Sequence, residues 1–472
     1  MNIFSRGVEF HVPRERGFLA QAASADLTGD GRGDLVVAWE VGIGTRDQPI
    51  EILLNNGRGK FISANSLISG PLPTVVHPQE ILIGNLQGTG QPDIFIADHG
   101  YDAYPFPGHQ QKLVQWNSSG QLFDATANLP QELSFTHRAA FGDIDGSGNL
   151  DILYANLPAV STPLPQLLVN DGTGHFTIDQ SRLPDGVTGP GGLGNTGCLL
   201  TDLTGDGKPD LVLGGWDPLH TGRHPSVVYL NDGAGHFTDA GLINLPMPPI
   251  PLVNGTGPTA LDIISGDLNH DGRPDLIIDW TNGNYTSHYY QILINEGGGH
   301  FVDETRKLLP QSTKHSYWTT HVYLVDLKNN GVLDLVVQPS NTTSPTIYLN
   351  NGKGHFRPAG TFGSPGDIIT PLSEHGRTDF VALHLNGVGY IYHNLIAPRP
   401  HALGSIHVGG TSTHGADAFL SGNDEWAFDS PKHHQQHQLT SEHAPELTDT
   451  LNLGHVFGGT LGGHVRDWLV AA

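Results

Sequence analysis

One cysteine, two methionines and only 23 lysines and arginines in 472 residues leave several protein classes out. The lone Cys198 cannot close an intrachain disulfide, so whatever staples this chain is not sulfur. Basic side chains are outnumbered by 47 aspartates and glutamates, and a formal charge of -24 repels phosphate, which excludes a nucleic-acid partner. No run of about 18 apolar residues occurs, so membrane insertion by a helix is not expected. The start, MNIFSRGVEFHVPRERGF, lacks the apolar stretch of a Sec leader. A soluble chain exported by another route is the expectation. No nucleophile elbow, zinc-protease helix, phosphate loop or dinucleotide fingerprint appears either.

What the chain has in quantity is glycine (62) and proline (33), the composition of many short strands joined by tight turns. Its most informative stretch is DLNHDGRPD at 267–275, followed by Leu276, Ile277 and Ile278. Oxygen-bearing side chains stand at loop positions 1, 3, 5 and 9 (Asp267, Asn269, Asp271, Asp275), with Gly272 at position 6. Carboxylates drawn that close repel unless a cation sits among them. Hard oxygen donors, high negative charge and a glycine at the bend are the preferences of calcium. The opening matches an EF-hand loop, but the last acid comes three positions early and a strand follows it.

The loop recurs. Asp26, Thr28, Asp30 and Asp34 form one copy with Gly31, Asp143, Asp145, Ser147 and Asp151 another with Gly148, and Asp202, Thr204, Asp206 and Asp210 a third with Gly207. Three further copies keep the frame and lose ligands: Asn85, Gln87, Thr89, Asp93; Asp326, Lys328, Asn330, Asp334; and Pro371, Ser373, His375, Asp379. Lys328 sets an ammonium where an oxygen is needed. Four structural calcium ions and three metal-free copies are expected. Calcium in place of disulfides suits an extracellular, calcium-rich setting.

Start positions 26, 85, 143, 202, 267, 326 and 371 define seven repeats. Each has an apolar segment before the loop and a leucine-rich or β-branched strand after it, as in DLVVAW (34–39) and DLIIDW (275–280). A third strand ends in a glycine-rich turn led by asparagine, as in LLVNDGTGHF (167–176), where the residues tolerate positive φ. Phe61, Phe176, Phe237, Phe301 and Phe356 open a fourth strand and are expected to pack between repeats. Four antiparallel strands in each of seven repeats predict an all-β, seven-bladed propeller over residues 1–397, with the first strands lining a central channel.

These repeats resemble the FG-GAP or VCBS repeats of the integrin alpha-subunit propeller and its bacterial and fungal relatives. The resemblance covers roughly residues 5–396 and rests on the D-x-[DNT]-x-D-G-x-x-D loop in register with the downstream N-[DN]-G-x-G-x-F turn. It implies that calcium clamps the loop between first and second strands on one face, and that partners are met on the other. Arg32-Gly33-Asp34 spells the adhesive tripeptide, but Asp34 is a loop ligand and is not expected to act as one.

The opposite face should carry the loops between second and third strands, rich in aromatics and histidine. Repeat two offers Asp98, His99, Tyr101, Asp102, Tyr104 and His109; repeat four offers Trp216, Asp217, His220, Arg223 and His224; repeat five offers Trp280, Asn282, Asn284, Tyr285, His288 and Tyr289. His77, Glu80, His137, Arg138 and His321 enter the innermost strands near the channel mouth. Convergent rims make that mouth the expected ligand site. Aromatic rings can cover sugar C–H faces while Asp, Asn and Arg bond hydroxyls, so an extracellular glycan or protein is the leading ligand class. The enzymatic rival is a polysaccharide lyase on uronic-acid glycans, with His137, Arg138, Tyr101 and His321 neutralising a carboxylate and moving a proton. A third reading is a structural module of a surface assembly. Neither ligand nor oligomeric state follows from the residues.

Residues 398–472 break the pattern and form a Gly- and His-rich extension. Its end, RDWLVAA, resembles the uncleaved C-terminal signals of type I secretion substrates, which implies export without a leader. The segment 408–428 has a single degenerate likeness to glycine-aspartate nonapeptide repeats. The sequons at Asn117, Asn254, Asn284 and Asn341 are read as incidental.

Overall fold

The computed structural model describes residues 3–12, 18–41, 46–102, 106–157, 165–188, 195–216, 225–253, 257–311, 317–340, 343–374, 376–384 and 386–396. Seven antiparallel four-stranded sheets take up 28 of the 30 strands among these residues, and the fold is a seven-bladed β-propeller. From centre to rim, blade 1 runs Phe18–Ala25, Asp34–Glu40, Glu51–Asn55 and Phe61–Ser63. Blades 2 to 6 repeat that order with innermost strands Pro78–Gly84, Thr136–Gly142, Cys198–Thr201, Thr259–Gly266 and Thr319–Val325.

Blade 7 is assembled from both ends of the propeller. Ile368–Glu374, Arg377–Leu383 and Val388–Tyr392 supply three strands, and Val8–His11 near the start of the chain adds the outermost, with Val8 opposite Ile391 and His11 opposite Val388. The repeat pattern did not predict that closure. Nor does blade 7 keep the nine-residue frame read at 371–379. Pro371 and Ser373 are strand residues opposite Phe380 and Thr378, and a tight turn joins Glu374 to Arg377. The correction follows from pairing, since a hairpin that closes after Glu374 takes the place of the nine-residue loop.

The second strands are buried along their length because both of their faces meet neighbouring blades. That double burial explains the unbroken apolar runs. Seven hydrophobic clusters result, one at each blade-to-blade interface, and Phe61, Phe176, Phe237, Phe301 and Phe356 each sit in one of them. Trp280 belongs to this layer too. Fully buried against blade 4 residues, with its indole N–H donating to Gln291 Oε1 at 2.8 Å, it is core and not a ligand contact as expected from its position on the strand.

Candidate functional site

The acidic loops all lie where an innermost strand turns into a second strand. In blade 1 the Asp26 carboxylate accepts the N–H groups of Gly29 (2.7 Å), Asp30 (3.0 Å) and Gly31 (2.7 Å). Asp202 repeats this with Gly205, Asp206 and Gly207. The sixth-position glycines take φ between 81° and 85° (Gly31, Gly148, Gly207, Gly272), which an L side chain resists. At position 9, Asp34, Asp151, Asp210 and Asp275 are buried and accept two backbone N–H groups each, one from position 2 and one from the third-strand asparagine. Burial first, then the neighbouring loop acids, pushes all four up to about 6.

These donor sets fit a hard divalent cation. Asp143, Asp145 and Asp151 each bring a carboxylate oxygen within 4.8 Å of the other two, and Asp143 Oδ1 is buried with no hydrogen-bond partner among the described residues. In two of the three copies that lose ligands, a side-chain cation stands among the acids, while in blade 2 Asp93 accepts the N–H groups of Leu86 and Gln87. In blade 6, Lys328 Nζ lies 2.9 Å from Asp334 Oδ1 and 2.9 Å from Asn350 O. In blade 7, Arg377 grips Asp379 through two bonds of 2.8 and 2.7 Å, with Glu374 3.9 Å away and His393 Nδ1 2.7 Å from the same carboxylate. Arg32 and Arg273 pair with Asp30 and Asp271. Asp34 gives its oxygens to Leu27 and Asn55, so the Arg-Gly-Asp tripeptide offers no exposed carboxylate.

At the opposite end, five innermost strands carry a bulge at the same register, before Gln21, Glu80, Arg138, Asp262 and His321. A bulge re-aims the side chain that follows it. Gln21 Nε2 donates to Gln79 O (2.9 Å), and Glu80 Oε2 accepts Ala139 N–H (2.5 Å). Arg138 reaches from blade 3 to blade 6, donating to Thr320 O (3.1 Å) beside His321 Nδ1 (2.9 Å), with Asp262 3.7 Å away. A contact between blades that far apart in the ring crosses its centre, so these side chains plug the channel. Burial disfavours ionisation at Asp262, yet the Arg138 guanidinium and then His321 hold its carboxyl below the usual range. Asp279, paired across the strands with Asp262, is pushed well above that range by burial and then by Asp262.

Next to the plug, His77, His99 and His137 form a second buried group. His99 Nε2 lies 3.1 Å from His137 Nε2, His77 packs on His99 at 5.2 Å between ring centres, and Phe135 lies against His99 at 3.5 Å. Burial lowers His137 to about 3 and His321 to about 4, with the Arg138 charge adding to both, and His99 falls well below its usual value. The mouth expected to present His77, His99, His137, Arg138, His321 and Asp98 is therefore a buried polar core: each is at most 3% exposed. Every one of these positions precedes, follows or lies within a strand packed on both sides. Tyr101, the fourth candidate for proton transfer, is 42% exposed and stands apart from Arg138 and His321. His288 is also buried, stacked on Tyr290, and Tyr285 meets Trp318 edge-on. Trp216 is half-buried. Tyr104, Asp217, His220, Arg223, His224 and the 398–472 extension lie outside the described residues.

Among the described residues, an opening on this face presents polar groups. A cleft of about 480 Å3 between the rims of blades 1 and 2 is lined by Arg46, Asp47, Val76, Tyr101, Pro107, Gly108 and His109. Gln48–Pro49 pairs with Thr74–Val75, which draws the blade 1 rim loop against the entry to blade 2. The other wall is anchored by Asp98, which accepts the N–H groups of Val76 (2.8 Å), His77 (2.9 Å) and Gly100 (3.2 Å) and lies 2.7 Å from His109 Nδ1.

Residues 202–278, from the blade 4 loop to the second strand of blade 5, match the family described as FG-GAP-like repeat. One FG-GAP-like repeat thus lies within a seven-bladed propeller. No curated protein matches it. Solved structures with a similar fold include one described as the structural basis of recognition of non-reducing terminal N-acetylglucosamine by an Agrocybe aegerita lectin, at 19% identity over 73% of this chain and 80% of that one, TM-score 0.43. Another is BBS1N in complex with ARL6DN, at 12% identity over 84% and 98%, TM-score 0.47. A third is the Dos1 propeller, at 11% identity over 80% and 93%, TM-score 0.42.

In this propeller the sequence pointed to Tyr101 and His109 through one aromatic-rich loop and missed Arg46 and Asp47. Their loop carries no aromatic cluster, and only the pairing of Gln48–Pro49 with Thr74–Val75 brings it alongside. Asp102, half-buried in the same loop, has its carboxyl pushed up to about 7 by burial.

Proposed function

We propose that the chain is a calcium-stabilised extracellular binding module whose glycan or protein ligand is taken up on the face opposite the acidic loops. The observation that carries the reading is the blade 1–2 cleft, which gathers an exposed tyrosine, a histidine, an arginine and an aspartate at the ends of strands remote from the acidic loops. Calcium rests on a second argument. Acids that repel one another are gathered in blades 1, 3, 4 and 5, and in blades 6 and 7, where the sequence loses some of them, Lys328 and Arg377 supply positive charge. Asp26, Asp143, Asp202 and Asp267, with their loop partners, would hold the ions as clamps. Bound there, calcium neutralises the loop and ties the two strands; the residues of the chain supply no chemistry at those sites.

The uronate-lyase alternative has less to work with, because Arg138 and His321 are buried and engaged with Thr320 and Asp262. A charge of -24 also disfavours acidic polymers. A glycan array probed with and without a calcium chelator tests the binding reading. Saturable binding to a glycan class that weakens on chelation supports it, and no binding to any glycan on a broad array, nor to extracellular-matrix proteins spotted beside them, overturns it. Unsaturated product from uronic-acid polysaccharides would favour the enzyme instead.

A further inference from the structure

We propose that the blade 1–2 cleft is a subsite for one neutral sugar residue, in which His109, held by Asp98, accepts a hydroxyl beside the ring of Tyr101. The proposal rests on the glycan-binding reading and assigns it residues. Three observations lead to it.

The residues that flank Tyr101 and His109 are held by specific contacts. A Cβ on Gly100 would lie 2.5 Å from Gly108 O, so the backbones of residues 100 and 108 touch. Phe106 adopts φ 54°, a region that non-glycine residues rarely adopt, while its ring packs on Phe135 at 5.3 Å. Gln111 ties off the base of the loop, accepting Asp98 N–H at 2.7 Å and donating to Asp98 O at 3.2 Å. Strain kept in place by surrounding contacts is a mark of a preorganised site.

The histidine is oriented. Asp98 is fully buried and already accepts three backbone N–H groups, so it has no proton to offer, and His109 Nδ1 must carry the hydrogen between them. In the neutral ring this leaves the Nε2 lone pair on the edge that lines the cleft. Among the described residues Nε2 has no hydrogen-bond partner. An acceptor fixed in that way suits a donor on the ligand, and a sugar hydroxyl is one.

The lining is balanced in charge. Arg46 and Asp47 are both exposed and opposite in sign, so the cleft offers a donor and an acceptor with no net demand for a charged ligand. Tyr101 presents an aromatic ring, and Val76 and Pro107 give apolar surface for the C–H face of a pyranose. A carboxylated sugar would meet Asp47 in the cleft and an acidic molecule around it.

The test uses the full chain with calcium and two kinds of probe. On a glycan array, His109→Asn keeps an amide N–H for Asp98 and removes the acceptor at Nε2. This variant and Tyr101→Ala should each lose about tenfold or more in binding to the glycans that the wild type retains, with the thermal midpoint unchanged. In solution, methyl glycosides of glucose, galactose, mannose and N-acetylglucosamine are titrated against protein with 15N-labelled histidine. One or more should move the His109 Nε2 resonance, and methyl glucuronide should not. Wild-type array binding that both variants keep, or a resonance that no neutral glycoside moves, overturns this assignment and leaves the binding module standing. Preference for the glucuronide overturns the choice of a neutral sugar. A wild type that binds no glycan overturns the assignment together with the glycan reading beneath it.

Discussion

Asn231 Nδ2 donates to Ile144 O in the preceding blade at 2.8 Å and to Pro209 O in its own at 3.0 Å, while its Oδ1 accepts Gly233 N–H at 2.9 Å. Asn170, Asn295, Asn350 and Asn394 repeat the reach into the preceding blade, to Leu86, Leu203, Leu268 and Leu327. The residue that reads in sequence as a turn former is thus also a staple between neighbours, fastening one blade to the acidic loop of the one before. Asn231→Ala leaves two carbonyls short of a donor and should cost about 1–3 kcal/mol, read from chemical denaturation with calcium present. His137 supplies a pH test at the same scale. Burial first, then Arg138 and His77, lowers it to about 3, so it is neutral when folded but takes up a proton below about 6.5 when unfolded. The unfolded chain binds more protons in that window; the contribution is whole above about 6.5 and drains as the pH falls toward 3. With calcium saturating, the stability gap between wild type and His137→Gln should therefore narrow by about 1.4 kcal/mol per pH unit below 6.5. A gap that stays constant down to pH 4 would count against a neutral buried ring.

The acidic loop is the element on which the blades are hung, and blade 6 offers a way to rewrite it. Its sequence, DLKNNGVLD at 326–334, already has the first and ninth acids, an asparagine at position 5 and Gly331 at φ 80°. Lys328→Asp exchanges a tethered ammonium for a carboxylate and gives acids at positions 1, 3 and 9, the pattern of Asp143, Asp145 and Asp151 in blade 3. Calcium stoichiometry measured by calorimetry or elemental analysis should rise from four to five per chain. Without calcium the same variant should be less stable than wild type, since Asp334 loses its ammonium partner and gains a like charge. An unchanged count of ions, or a wild type that holds none, would remove the metal reading. Blade 7 is not open to this change, because its hairpin turns before a loop can form.

At the scale of the molecule, the ring closes through four residues from near the start of the chain. Val8–His11 completes blade 7, and Phe10 packs with Phe61 at 4.8 Å between ring centres across the seam to blade 1. Removing residues 1–12 exposes the edge of Val388–Tyr392 and takes Phe10 and Val12 from a shared core. Calorimetry should show a lower unfolding temperature, and light scattering an aggregation onset at lower protein concentration than for the full chain. Blades 1 and 7 should be the first to become sensitive to protease, as the interface between them loses its cover.

Repeat number, and in blades 1 to 6 the strand order and the position of the loops, were legible from the residues alone because each depends on neighbours close in sequence: a turn needs its glycine and a doubly buried strand its run of leucine and valine. The candidate site was not. Whether His137 faces solvent or the centre of the ring depends on the bulge at that position, between Thr136 and Arg138, and on an arginine that reaches from blade 3 to blade 6. Arg46 and His109 share a cleft only because two rims are drawn together. Those are long-range contacts, decided by how seven sheets pack, and short-range pattern carries no record of them.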